Sequence, residues 1–269
     1  MQTQAPIGIF DSGVGGTSIW KEIVQLLPLE HTIYLADSIN APYGSKPKQA
    51  IIDLSKKNTE KLIELGAKVI VVACNTATTN AIDILRTTYD IPFVGIEPAI
   101  KPAAIQSQTH AVGILATKGT LSSALFETTS KQFAGSTKII EVIGEGLVPL
   151  IENNQLDSDE TRNLLIRYIA PMLEAQIDYL VLGCSHYPYL IPQLREMLPE
   201  NVKIIDSGEA VARQTQRLLQ QFRIAAQTQQ KVTHKMFTNA NPDVLEMIVR
   251  NAGWTNHAFA KAYFEKLNF

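Results

Sequence analysis

One pattern occurs twice in this chain. Val69-Ile-Val-Val-Ala73 is a short apolar run that ends in Cys74, followed by Asn75-Thr76 and a helical spacing at Ala81, Ile82 and Leu85. Tyr179-Leu-Val-Leu-Gly183 ends in Cys184, followed by Ser185-His186, with Leu190, Ile191 and Leu194 beyond. Each reads as a buried strand, a tight junction and a helix. The two copies lie 110 positions apart, and other segments follow a similar offset, 105 at the first strand. Val112-Gly-Ile-Leu115 with Ala116 to Thr120 repeats the layout of Ile7 to Gly16. Lys138 to Val142 answers the strand around Tyr34, Gly144 to Glu152 answers the loop at Pro42, and Val202 to Asp206 answers Pro92 to Ile96. A repeat of this length predicts two related α/β halves.

The chain has 269 residues, enough for two such halves. After Asp206 the repeat ends. A helix over 209–222, a polar connection over 225–230, a strand at Lys235-Met-Phe-Thr238 and a helix over 242–251 are expected in the tail. With the second half already complete, the tail is expected to return to the first. Trp254, Phe259, Tyr263 and Phe264 are expected to seal that packing. The fold class is α/β: two related open lobes with mostly parallel sheets, in a pseudo-twofold arrangement with the active site in the cleft between them. Residues 1–97 plus 208–269 form the lobe with Cys74, and residues 98–207 form the lobe with Cys184.

Cys74 and Cys184 are the only cysteines. A lone cysteine is ordinarily an inert small hydrophobe. Two, both at the carboxyl ends of strands and both followed by amide or hydroxyl side chains, sit where open α/β folds bind ligands. A helix N-terminus there favours a thiolate. Free cysteines without a CxxC pair, and a start at Met1 to Pro6 without the basic and apolar regions of a signal peptide, point to the cytoplasm. No apolar run approaches a membrane span, so no membrane partner is expected. The net charge of −2 carries no basic block, which excludes nucleic acid as the main partner.

Asp11-Ser12-Gly13-Val14-Gly15-Gly16 follows the first strand, and its spacing matches neither a dinucleotide fingerprint nor a phosphate loop. Asp11 there either holds a cationic group or caps the next helix. Pro42-Tyr43-Gly44 lies in a polar loop after the second strand, where a ligand wall is expected.

Two cysteines and His186 are a conceivable zinc set, but structural zinc thiolates come in closely spaced pairs, so no metal is expected. A Cys184–His186 amidohydrolase leaves Cys74 without work. A two-lobed small-molecule binding protein needs the cleft but not the thiols. Opposed thiols suit proton transfer at carbon from two faces, which inverts a stereocentre without a cofactor. Asp11, Glu152 and His186 are the groups able to poise thiol and thiolate. Ser12, Asn75, Thr76, Thr117 and Ser185 are neutral partners for a small zwitterion. No arginine flanks these motifs, so a carboxylate is expected on backbone N–H groups and hydroxyls at helix starts.

Phe10-Asp-Ser-Gly-Val-Gly-Gly16, Ala36-Asp37, Pro42-Tyr-Gly44, Ala73-Cys-Asn-Thr-Ala77, Leu115-Ala-Thr117 with Gly119-Thr120, and Gly183-Cys-Ser-His-Tyr-Pro188 together resemble the glutamate racemases. The likeness covers nearly the whole chain. It implies cofactor-independent interconversion of L- and D-glutamate, the D isomer supplying peptidoglycan. Aspartate or another small acidic amino acid is the alternative substrate. By the resemblance Cys74 acts on the D isomer with Asp11 assisting, and Cys184 on the L isomer with His186 assisting. Glu152, in Val148-Pro-Leu-Ile-Glu152, matches the remaining family acid. Asn75, Thr76 and Ser185 are then expected at the α-carboxylate, the amides of Tyr43 and Gly44 at the side-chain carboxylate, and Asp11 and Ser12 at the amino group. Ser185 stands where the family usually has threonine. Gly144-Glu-Gly146 stands where the family usually has Cys-Pro, which makes Glu145 a competitor for the role of Glu152. The family also admits a homodimer.

Overall fold

A computed structural model describes residues 2–133, 137–227, 231–251 and 262–269. The chain begins with β1 (Ile7–Asp11), α1 (Thr17–Leu26), β2 (Thr32–Ala36), α2 (Lys48–Glu64), β3 (Val69–Val72), α3 (Asn75–Thr88) and β4 (Phe93–Gly95). It continues with α4 (Ile100–Gln106), β5 (Ala111–Ala116), α5 (Lys118–Leu121), α6 (Ala124–Phe133), β6 (Lys138–Ile143), α7 (Leu147–Glu152), α8 (Asp159–Glu174), β7 (Tyr179–Gly183), α9 (Ile191–Met197) and β8 (Lys203–Ile205). The last described elements are α10 (Gly208–Gln221), β9 (His234–Thr238), α11 (Pro242–Asn251) and β10 (Ala262–Lys266).

The repeat read from the sequence reappears as strand order. One sheet runs β10-β9-β2-β1-β3-β4 and the other β6-β5-β7-β8, so β2-β1-β3-β4 and β6-β5-β7-β8 are the same arrangement. Every recorded strand pairing is parallel. Parallel strands buried on both faces need continuous apolar sequence, and β1, β3, β5 and β7 are buried along their whole length. Two α/β lobes result, with the carboxyl ends of β1, β3, β5 and β7 bringing their loops to one cleft.

The tail joins the first sheet. β9 pairs with β2, from Thr32 opposite His234 to Ala36 opposite Thr238. α10 packs along α1. A buried ion pair ties the same region together: Lys68 Nζ lies 2.5 Å from Glu30 Oε2, and Glu30 Oε1 accepts the N–H of Ala226 at 2.8 Å. One buried apolar cluster runs through both lobes, from Ile7, Ile9 and Trp20 to Leu182, Tyr187 and Leu190. Separate clusters fill the other face of each sheet.

Several expectations need amendment. The strand β10 is an addition to the expected elements: it lies at the sheet edge, and of its five residues only Ala262 is buried. Tyr263, on β10, is 61% exposed and seals nothing, whereas Phe264 packs against the core. Trp254 and Phe259 lie outside the described residues. The segment from Gly144 to Glu152 follows β6 as the Pro42 loop follows β2, and both reach the cleft, but its local backbone differs. Gly146 takes a left-handed φ of 82° that L side chains resist, and α7 follows with Leu147, Leu150 and Ile151 buried. The helices α4, α5 and α6 were not anticipated either. Ser158 caps α8 as expected, its Oγ accepting the N–H of Thr161 at 3.2 Å.

Candidate active site

Cys74 and Cys184 line one cavity with about 230 Å³ of empty space. Ser12, Pro42, Tyr43, Gly44, Asn75 and Thr76 come to it from the first sheet's loops, and Thr117, Val148, Ser185 and His186 from the second's. An outer cleft of about 940 Å³ shares Pro42, Gly44, Thr117 and Val148 with it and leads outward past Ser45, Lys118 and Glu145. A larger cleft of about 1060 Å³, between Lys21 and Gln193, carries neither cysteine. Size alone therefore does not mark the reactive centre.

Cys74 follows β3 and forms the N-cap of α3. Its sulfur accepts the N–H of Ala77 at 3.4 Å and lies 3.8 Å from Ser12 Oγ. Burial pushes the Cys74 thiol well above its usual range; nearby Asp11 adds to this, and the Ala77 N–H opposes it. The shift favours the thiol, the form that gives a proton. Cys184 follows β7, but no α-helix starts beside it. A short 3-10 turn over Tyr187–Leu190 intervenes before α9, because Pro188 and Pro192 lack the N–H that a continuous helix uses. The two cysteines thus share a place at a strand end, but a helix begins directly after Cys74 and not after Cys184.

His186, two residues on from Cys184, is buried. Its Nδ1 lies 3.8 Å from the Cys184 sulfur and its Nε2 lies 2.5 Å from Glu152 Oε1. Burial on its own lowers the His186 pKa. Hydrogen bonds to Cys184 and Glu152 and the charges of Glu152 and Asp11 overcome it and hold the ring well above its ordinary value. The surroundings thus favour the charged ring, with Nε2 directed to Glu152 and Nδ1 toward the sulfur. Glu152 Oε1 also accepts the N–H of Val14 at 2.7 Å, and Oε2 accepts Ser38 Oγ–H at 3.1 Å. Glu145 is exposed at the cleft mouth, and its backbone carbonyl accepts Tyr168 O–H at 2.7 Å.

Asp11 sits behind the cavity wall rather than on it. One carboxylate oxygen accepts the N–H groups of Gly13 and Gly16, each at 3.1 Å, and the other accepts Ser185 Oγ–H at 3.0 Å. Gly16 is the N-cap of α1, so Asp11 does order that helix start, and through Ser185 it also reaches the second lobe. Burial raises its pKa; His186 and the Gly16 N–H pull against that.

Thr76 Oγ1 is 2.8 Å from Thr117 Oγ1 across the lobes, and Thr117 caps α5 through the N–H of Thr120 at 3.3 Å. Asn75 stands apart. Its side chain is buried, and among the described residues neither its amide nitrogen nor its amide oxygen has a hydrogen-bond partner. An unpaired buried polar group costs about 1–3 kcal/mol, and a ligand able to both donate and accept removes that cost. Among the described residues no cluster of three or more His, Cys, Asp or Glu is arranged to hold a metal ion, and no helix is long and apolar enough to cross a membrane.

Val148, Val14, Ser38 and Tyr189 take roles here that their places in the sequence do not signal. Val148 walls the cavity, Val14 and Ser38 reach Glu152, and Tyr189 OH contacts Thr17 Oγ1 between the lobes. These contacts join residues far apart in the chain, and no local spacing signals them.

The family model for Asp/Glu/Hydantoin racemases matches residues 7–215. The chain is 46% identical over 249 residues to a glutamate racemase of Pseudomonas entomophila, covering 92% of this chain and 94% of that protein. It is 48% identical over 214 residues to one of Herpetosiphon aurantiacus, covering 80% and 84%. Among solved structures it resembles Escherichia coli glutamate racemase, crystallised with L-glutamate and the activator UDP-MurNAc-Ala. That match has a TM-score of 0.83 at 34% identity and covers 98% of both chains.

Proposed function

The chain belongs to the glutamate racemase family, within the Asp/Glu/Hydantoin racemases, and from that membership we propose that it interconverts L- and D-glutamate without a cofactor, supplying D-glutamate for peptidoglycan. The observation that carries the reading is the placement of Cys74 and Cys184 on one cavity from opposite lobes. One thiolate removes the α-proton, leaving the electron pair on carbon, and the opposite thiol delivers a proton to the other face. The product is the mirror image, and each sulfur ends in the state the other began in. The reverse reaction then runs on the same groups.

In this reading Cys184 serves the L isomer and Cys74 the D isomer. His186, Glu152 and Asp11 assist: the first two as an imidazolium–carboxylate pair beside Cys184, the third through Ser185 and its field on Cys74. Glu152 rather than Glu145 fills the acid role, because it is Glu152 that touches His186. Asn75, Thr76 and Ser185 hold the α-carboxylate, with Thr117 hydrogen-bonded to Thr76. Ser12 and Asp11 lie toward the amino group, and Pro42, Tyr43 and Gly44 form the wall for the side-chain carboxylate. The unpartnered Asn75 amide supports an occupant that offers both acceptors and donors. The lobes are 1–97 with 208–269, and 98–207; the pairing of β9 with β2 supports the first grouping. The reading extends to a cytoplasmic homodimer, tested by light scattering of the purified protein.

Incubation with either pure enantiomer in EDTA, without pyridoxal phosphate, should give a near-equal mixture by chiral chromatography. No conversion of glutamate, or faster conversion of aspartate, overturns the assignment.

A further inference from the structure

Behind the Tyr43–Gly44 wall lies a buried carboxylate that no step above uses. Asp37 directly follows β2 and is buried. Its Oδ1 accepts the amide groups of Asn40, at 2.8 Å, and of Asn239, from the end of β9. Its Oδ2 accepts the phenol of Tyr43. The Tyr43 oxygen in turn accepts Asn58 Nδ2–H from α2 at 2.9 Å. Burial and the neighbouring Asp37 push the phenol well above its ordinary range, so it stays a donor. Its ring is sunk in the core of the first lobe. On the other side, a Cβ on Gly44 would come within 2.7 Å of Thr117 Cβ. The loop is thus pinned from behind by a phenol and confined in front by the opposite lobe.

We propose that Asp37, held by Asn239, is a positioning residue that sets the depth of the Tyr43–Gly44 backbone in the cavity and hence the substrate side-chain length the enzyme accepts. The inference rests on the reading that this loop takes the side-chain carboxylate. A three-donor carboxylate is stiffer than a solvated loop, and its hydrogen bonds are of the strong, charge-assisted kind. Asn239 links the tail to this loop and gives β9 a part in substrate selection. Distance from the two sulfurs to the loop amides is what separates a five-carbon from a four-carbon diacid.

Asp37→Asn and Tyr43→Phe are the test, alone and together. Each should raise the KM for glutamate about tenfold, while kcat falls by less than about threefold. The double variant should be no worse than the worse single one, because Asp37 acts through Tyr43. Calorimetry with glutarate and succinate gives a readout that needs no turnover. Both variants should lose glutarate affinity and narrow the preference for glutarate over succinate. Should Asp37→Asn fail to fold, Tyr43→Phe decides alone, as it changes no volume beyond one oxygen. Unchanged glutarate affinity and KM, or a fall in kcat with KM unchanged, overturns the proposal. A wild-type protein that binds glutarate but does not racemise glutamate instead defeats the functional reading, and the diacid preference still measures the loop.

Discussion

The backbone N–H of Val14 on one lobe donates to Oε1 of Glu152 on the other at 2.7 Å, and the same oxygen lies 2.5 Å from His186 Nε2. A Cβ on the adjacent Gly13 would come within 1.9 Å of that oxygen, so only glycine permits the approach. One carboxylate therefore joins His186, beside Cys184, to the glycine loop of the opposite lobe. Ser18 Oγ, donating to the carbonyl of Ser185 at 2.9 Å, is a second bond across the same seam.

Replacing Glu152 with glutamine leaves a group of the same size that carries no charge and turns an N–H2 toward one of three donors. We expect kcat/KM to fall about 100-fold. Enantiomers are equal in free energy, so the fall must be the same from L- and from D-glutamate, although kcat and KM need not shift alike. Initial rates from both isomers check this. Activity near that of the parent would remove Glu152 from the mechanism. A comparable loss in Glu145→Gln would move the role to the cleft mouth.

Proton bookkeeping separates two sulfurs from one shared base. In D2O, the first D-glutamate formed from L-glutamate should carry deuterium at the α-carbon, while unreacted L-glutamate stays largely protiated. Cys74→Ala and Cys184→Ala should each abolish racemisation. Any residual exchange by Cys184→Ala is expected on D-glutamate alone, and by Cys74→Ala on L-glutamate alone. Mass spectrometry of the separated enantiomers reads both results. Early deuterium in substrate and product alike would sink the two-base scheme.

Ser185 joins Asp11 across the lobes at 3.0 Å. In Ser185→Ala a buried carboxylate oxygen loses its partner, at a cost of about 1–3 kcal/mol. If that cost falls on the transition state, the expected loss in kcat/KM is about fivefold to 150-fold. Ser185→Thr keeps the hydroxyl and should stay within about threefold of the parent. Steady-state kinetics that do not distinguish alanine from serine would take Ser185 out of the site.

Asp178 precedes β7 and orders the turn after α4. It accepts Ser107 Oγ–H at 2.6 Å and the N–H groups of Gln108 and Thr109 at 2.6 and 3.2 Å. Partial burial raises its pKa, and these hydrogen bonds outweigh that and leave it below the usual carboxylate range. A group depressed in the folded state contributes stability above its unfolded pKa, about 3.9, and loses it as pH falls through the folded value. Asp178→Asn should lower the melting temperature by several degrees at pH 7. The gap should hold down to about pH 5 and close below about pH 4. A gap that widens on acidification would contradict the assignment.

The repeat, the strand-end cysteines and most strands were legible because they are local. A buried parallel strand needs an unbroken apolar run, as in Val69 to Val72 or Tyr179 to Gly183, and a cysteine at its end shows in the chain. The side chains that would flank a ligand could be named for the same reason: Asn75, Thr76, Thr117 and Ser185 are next to strand ends. Residue order was therefore enough to specify two α/β halves and the residues each brings to its rim. Which rim residues meet was settled only by the packing of the lobes. That Glu152 rather than Glu145 reaches His186 depends on α7 turning its last residue toward the Asp11–Gly16 loop. That Asp11 stands behind the wall depends on the N–H groups of Gly13 and Gly16 holding its carboxylate. That β9 and Asn239 return to β2 and Asp37 is a contact across some 200 residues. Hydrogen bonds of this kind depend on the distance between atoms in space, and a linear pattern of residue types carries no measure of that distance.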